Sequence, residues 1–126
     1  MKIGDTTVKT GVDLDMEGVT VTRAFNDDIR WVAEFINDAI VLRYKVEVPL
    51  DHWVVLKCDY DPIKQKHSAH LILDGFMWPT IEARKMFLKS IGLVEEFAKR
   101  CPEANNPLKV VDDGVFGVKF LRLLKS

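Results

Sequence analysis

Cysteine is scarce in this chain, with two among 126 residues, Cys58 and Cys101. A small secreted domain stapled by disulfides carries more, at denser spacing, so the pair is expected as reduced, buried thiols. Long apolar runs are also missing. The longest stretches, such as Ala39 to Leu42, are far too short to span a bilayer, and Met1-Lys2-Ile3-Gly4-Asp5 has no apolar segment of the signal-peptide kind. A cytoplasmic protein with no membrane partner is the expectation. There is no excess of charge of one sign. Eighteen basic residues against nineteen acidic ones give no bulk attraction to nucleic acid. No Gly-rich phosphate loop, G-x-S-x-G elbow or H-E-x-x-H motif occurs, so the reading leans away from an enzyme and implies no cofactor.

What is present is an ordinary globular composition, 48% hydrophobic and 29% charged, in a length that suits one domain spanning residues 1–126. A chain of this size buries roughly two-thirds of its unfolded surface and needs no metal or disulfide to fold. The charge is unevenly distributed: residues 1–39 hold four basic and eight acidic side chains, residues 40–126 fourteen and eleven.

The acidic arm reads as short strands. Thr6-Thr7-Val8-Lys9 is β-branched, and from residue 12 to 17 Val12, Leu14 and Met16 alternate strictly with Asp13, Asp15 and Glu17. A period of two puts the apolar residues on one sheet face and the carboxylates on the other. Glu17-Gly18 suits a turn into a second strand, Val19 to Thr22. Asn26 then suits an N-cap, with Asp27 and Asp28 in a first turn where the helix dipole favours acids. Ile29, Val32, Ala33 and Ile36 recur at helical spacing, and Asn37-Asp38 reads as a stop, giving a helix over about 27–38.

Leu42, Tyr44, Val46 and Val48 alternate with Arg43, Lys45 and Glu47 as a strand would. Trp53 to Tyr60 and His67 to Leu73 follow as further strands, so a three-strand antiparallel meander is expected over 40–74. Thr80 caps a long helix over about 80–100, interrupted by Gly92. Val110-Val111 and Val115 to Leu123, around Asp113-Gly114, suggest a closing hairpin. The expected fold is therefore α+β: an antiparallel sheet, with hairpins at both ends, packed by two amphipathic helices.

Three local patterns invite chemistry. Asp13-x-Asp15-x-Glu17-Gly18 matches the opening of a calcium-binding loop, but Ala24 stands where the bidentate glutamate belongs. A solvated strand face, or a docking face for a basic partner, fits it better. Cys58 and His67 fall on one face if Tyr60 opposes His67, with His70 on the other; two ligands are too few for structural zinc. Phe76-Met77-Trp78-Pro79 is an apolar cluster in a connection, where loops are usually polar. It either tucks under the long helix or supplies an interface. With Leu56, Cys58, Leu71 and Leu73 turned inward, Trp53, Val55, His70 and Ile72 are left on the back of the meander, a face too apolar to be wholly solvated.

The order of helix, meander and helix resembles, topologically, a double-stranded-RNA-binding domain, and Glu82-Ala83-Arg84-Lys85 echoes the start of that family's second helix. The family's lysine cluster, which straddles phosphates, is replaced by Pro79-Thr80-Ile81. No functional residue carries over. The function expected is that of a non-enzymatic interaction protein that binds a protein partner or itself. The candidate contact residues are Asp13, Asp15, Glu17, Trp53, Ile72, Phe76, Met77 and Trp78. The alternatives are a small-molecule pocket between sheet and long helix, and nucleic-acid binding through Arg84, Lys85, Lys89 and Lys99.

Overall fold

In a computed structural model of the chain, residues 8–112 are described. The fold is α+β, as the sequence indicates. Strand β1 (Val8–Glu17) is followed by helix α1 (Phe25–Tyr44), strands β2 (Trp53–Lys57) and β3 (Lys66–Trp78), helices α2 (Ile81–Ser90) and α3 (Leu93–Ala98), and a short strand β4 (Val111–Asp112). The described strands form one antiparallel sheet in the order β2-β3-β1-β4.

The alternation of residues 12–17 does what its period requires. Val12, Leu14 and Met16 are fully buried, and their inward face meets Ala69, Leu71 and Leu73 of β3. Ile29, Val32, Ala33, Ile36 and Ile40 of α1, with Phe87, Leu88, Leu93 and Phe97 of α2 and α3, complete the core on that side. At roughly 1.5–3 kcal/mol for each large side chain buried, this single layer supplies the main favourable contribution to folding.

Four local expectations are corrected. First, the N-terminal hairpin does not form: Gly18 turns the chain with a positive φ of 82°, but Val19 to Thr22 leads into α1, and β1 instead pairs along its length with β3. Second, the meander lacks its first strand, because α1 runs on to Tyr44. Asn37 does not stop the helix: it is buried, its Oδ1 accepts from Trp53 Nε1 at 2.9 Å and its Nδ2 donates to the Val48 carbonyl at 2.9 Å. Helical rather than strand period therefore rules residues 36–44, and Lys45, in the left-handed region, closes the helix. The resulting order is strand, helix, two strands, helices, so the topological likeness to the RNA-binding domain does not hold. Third, the α1 N-cap is Ala24, without a side-chain bond, and Asn26 Oδ1 accepts from Lys57 Nζ instead. Fourth, Gly92, at φ 70°, divides the long helix into α2 and α3. Thr80 caps α2 as expected, accepting from the Ala83 N–H at 3.0 Å. The closing hairpin lies outside the described residues apart from β4.

Among the described residues, no helix is long and apolar enough to cross a membrane.

Candidate interaction surface

The back of the sheet is decided by one extra residue. At the tip of the β2–β3 connection Asp61 and Lys66 exchange backbone bonds, Asp61 N–H to the Lys66 carbonyl at 2.9 Å and the reverse at 3.0 Å. Continued inward, that register would oppose Tyr60 to His67 and Cys58 to Ala69. Instead the Cys58 N–H donates to the Ser68 carbonyl at 3.0 Å, and Lys57 opposes Ala69. One residue is gained on the β2 side, as in a bulge. A slip of one exchanges the faces.

Trp53 and Val55 therefore turn to the helix side with Leu71 and Leu73, whereas Val54 and Leu56 turn to the back with Ile72 and His70. This corrects the expected inward Leu56 and outward Trp53. It also leaves Cys58 exposed rather than buried; Cys101 is the buried thiol, and both are free. Burial pushes the Cys101 thiol up, partly offset by the nearby Arg23 and Arg100 charges.

The polar row on β1 is matched by partners on β3. Asp13 Oδ1 lies 2.9 Å from His70 Nδ1, Asp15 Oδ1 lies 3.2 Å from Lys66 Nζ, and Lys9 Nζ lies 3.0 Å from Asp74 Oδ1. Glu17 directly opposes Lys66. Cross-strand pairing of opposite charges explains the alternation structurally, so the row is no bare carboxylate surface awaiting a basic partner. Burial raises the Asp13 carboxyl above its ordinary 3.8, His70 works against that rise, and Asp15 and Asp112 add to it. The side-chain bond that Lys66 donates to Asp15 raises the lysine above 10.5. Beside this row a polar cleft of about 170 Å³ is lined by Asp15, Glu17, Asn105, Asn106 and Lys109.

Both tryptophans proposed as contact residues are buried. Trp78 Nε1 donates to Thr10 Oγ1 at 2.7 Å, and its ring packs on Phe87, Phe76 and Tyr44. The reason lies in an irregular step of β1–β3, where Thr10 opposes Leu73 but Lys9 opposes Met77. The intervening Asp74, Gly75 and Phe76 loop outward, so Phe76, half-buried, meets Tyr44 at the end of α1. Phe76 and Trp78 thus tuck under the helices. Met77 stays exposed, and Ile72 is buried. The eight candidates therefore do not form one surface.

His67 is also structural: it is buried, stacked on Phe25 and packed against Tyr60, with Nε2 3.3 Å from the Thr20 carbonyl oxygen. Among the described residues no three His, Cys, Asp or Glu side chains gather as a metal would need. Arg84, placed with the basic residues of the long helix, is 1% exposed and donates to the Lys9 carbonyl at 3.1 Å, so it is not available to phosphates. The polar cleft and a second one, between α1 and residues 47–50, both lie at the surface, and the space where the sheet meets α2 and α3 is filled by Phe87, Leu88, Leu93 and Phe97.

One feature of the surface was not legible as a site: the outer edge of β2. Among the described residues β2 pairs on one side only, with β3. Val54, Val55 and Leu56 are exposed by 45%, 40% and 39%. The Cys58–Ser68 bond fixes which backbone groups are committed. Even-numbered residues bond to β3, so antiparallel alternation directs N–H and C=O of Val55 and Lys57 off the edge. The Trp53 N–H is taken by the Leu50 carbonyl in the turn that precedes the strand. An exposed, apolar edge with unmatched donors and acceptors is a template for another strand. The signal was present as the run Trp53-Val54-Val55-Leu56-Lys57, but its register was needed to see it. Comparisons with family models, with curated proteins and with solved structures found no match to this chain.

Proposed function

We propose that this protein is a non-enzymatic interaction module whose docking element is the β2 edge, which receives an extended strand from a protein partner or from another copy. The observation that carries the reading is the combination of outward backbone groups at Val55 and Lys57 with exposed apolar side chains at 54–56. Strand addition draws affinity from main-chain hydrogen bonds and specificity from alternate side chains, and β2 offers both. The test is light scattering and affinity capture from the native host, comparing wild type with Val55→Pro. Proline is tolerated on a strand edge but removes the donor. Loss of complexes in Val55→Pro, with retention in the surface control Met86→Ser, is the expected result. Equal complexes in both overturn the reading.

A second reading is capture of a small cationic molecule in a cleft of about 400 Å³ bordered by Glu34, Asp38 and Glu47 over Val41, Val48, Pro49 and Leu50. Its size is within the range of ligand sites. Thermal shift against a panel of small amines tests it; no shift with any of them removes it.

A further inference from the structure

The β2 sequence is complementary to itself, and this narrows what the edge receives. We infer that the strand it takes is β2 of a second copy, paired antiparallel about a two-fold axis at Val55, so that the two sheets join edge to edge. The inference rests on the strand-addition reading above and commits it to one occupant.

The backbone sets the options. Among the described residues of β2, only Val55 and Lys57 direct both N–H and C=O outward with neither group bonded to another described residue. Centring on Val55 makes it a hydrogen-bonded pair with Val55 of the second copy. Each Lys57 N–H then reaches the other copy's Trp53 carbonyl, which needs no Trp53 N–H. The side chains fit this register. Val54 of each copy opposes Leu56 of the other on the back face, and the two Val55 side chains meet on the helix face. Residues exposed by 45%, 40% and 39% thereby cover one another. Isologous contacts of this kind place one patch against itself, and the run Val54-Val55-Leu56 is apolar in both directions.

Charge selects between the registers the backbone allows. Centring on Leu56 would set Lys57 opposite Val55 and bring the two lysines to diagonal positions on one face, where like charges repel. Centring on Val55 places each Lys57 opposite the other copy's Trp53, four positions from its own counterpart and next to the turn that precedes the other copy's β2. Asp51 is exposed in the turn before β2. Lys57, whose Nζ bonds Asn26 Oδ1 at 2.8 Å, is thus kept away from its counterpart, with Asp51 of the turn the acid at that end of the pair.

The experiment is sedimentation equilibrium of the full chain, joined to oxidative crosslinking of variants with one exposed cysteine, made in a Cys58→Ser background that keeps the buried Cys101, with backbone hydrogen exchange at Val55 and Lys57. The expected result is a mass of twice 14.4 kDa that returns to the monomer value in Val55→Pro. Val55→Cys should crosslink readily, because opposed Cα atoms of a hydrogen-bonded pair lie about 5.5 Å apart, and Leu56→Cys slowly. The Val55 and Lys57 amides should become protected as concentration rises. Faster crosslinking of Leu56→Cys overturns the Val55 register. A monomer at every concentration overturns the second copy as occupant. In that case, amides that exchange freely but become protected in a complex captured from the host leave the strand-addition reading standing. Amides that no complex protects remove both.

Discussion

Two regions of this molecule treat polarity in opposite ways. At one corner, between α1 and the end of α3, the Asp28 carboxylate is buried and accepts from Arg23 Nε at 2.9 Å, Arg23 Nη2 at 3.1 Å and Arg100 Nη2 at 3.1 Å. Arg23 also bonds Glu103 and the Arg100 carbonyl, and Arg100 lies over the Trp31 ring at 5.5 Å. At the β2 edge, apolar side chains are exposed and backbone groups face outward. The corner has charge inside with its partners supplied by the same chain. The edge has hydrocarbon outside with no partner among the described residues. The first arrangement serves stability of the fold, the second is the proposed site of association, and substitutions in the two should separate these effects.

The largest effect belongs to the corner. Asp28→Ala leaves two guanidinium groups without their shared carboxylate; Arg23 and Arg100 are partly solvated, so about 2–3 kcal/mol is expected, less than for a fully buried pair. Urea unfolding should show that loss. A change below about 1 kcal/mol would mean that water fully replaces the carboxylate at both arginines and that the corner adds little to stability. Next is the polar contact that ties α1 to the edge strand. Trp53→Phe keeps an aromatic ring, though a smaller one, but leaves Asn37 Oδ1 without its donor, for which about 1–3 kcal/mol is expected in the same measurement.

These two sites also mark where sequence reasoning stopped. β1 was legible because its alternation is enforced by burial: each apolar residue from Val12 to Met16 is inside. The alternation of Leu42, Tyr44 and Val46 looks identical on paper, yet all three are exposed, so no core enforced the period and the helix prevailed. Asn37 reads as a helix stop unless its partner Trp53, sixteen residues later, is known. The sequence explains Asp28 by the helix dipole alone, and the i,i+4 spacing of Glu96 and Arg100 suggests a local pair. In the structure Glu96 bonds Lys99 and Arg100 goes to Asp28, 72 residues away. The faces of β2 turned on one residue between the Asp61–Lys66 tip and the Cys58–Ser68 bond. Composition and period cannot report a bulge. Elements held by local pattern were readable; those set by a distant polar partner or by register were not.

At the edge, the expectation is reversed. Leu56→Ser replaces an exposed side chain, so monomer stability should change within about 0.5 kcal/mol, while the apparent mass in light scattering falls toward that of one chain. A Leu56→Ser variant that unfolds early would place the edge with the core and dissolve the contrast between the two regions.

The smallest effect lies between the two, in the paired row on the back of the sheet. Asp13 is partly buried like the corner, but its partner is a histidine, a weaker counter-charge than two arginines. Burial dominates, and the carboxyl is held above its ordinary 3.8. The folded state therefore binds a proton more readily than the unfolded one. At neutral pH the charged carboxylate carries a small penalty, which is relieved as pH falls through the raised midpoint and is gone below the unfolded value, where both states are protonated. Side-chain carboxyl NMR should find the midpoint above 3.8. Asp15→Asn should lower it by removing a like charge, and His70→Gln should raise it further by removing an opposite one. A midpoint below 3.8 in the wild type would mean that His70 outweighs burial. Asp13 would then belong with Asp28, as a carboxylate stabilised by its partner, rather than as one strained by its surroundings.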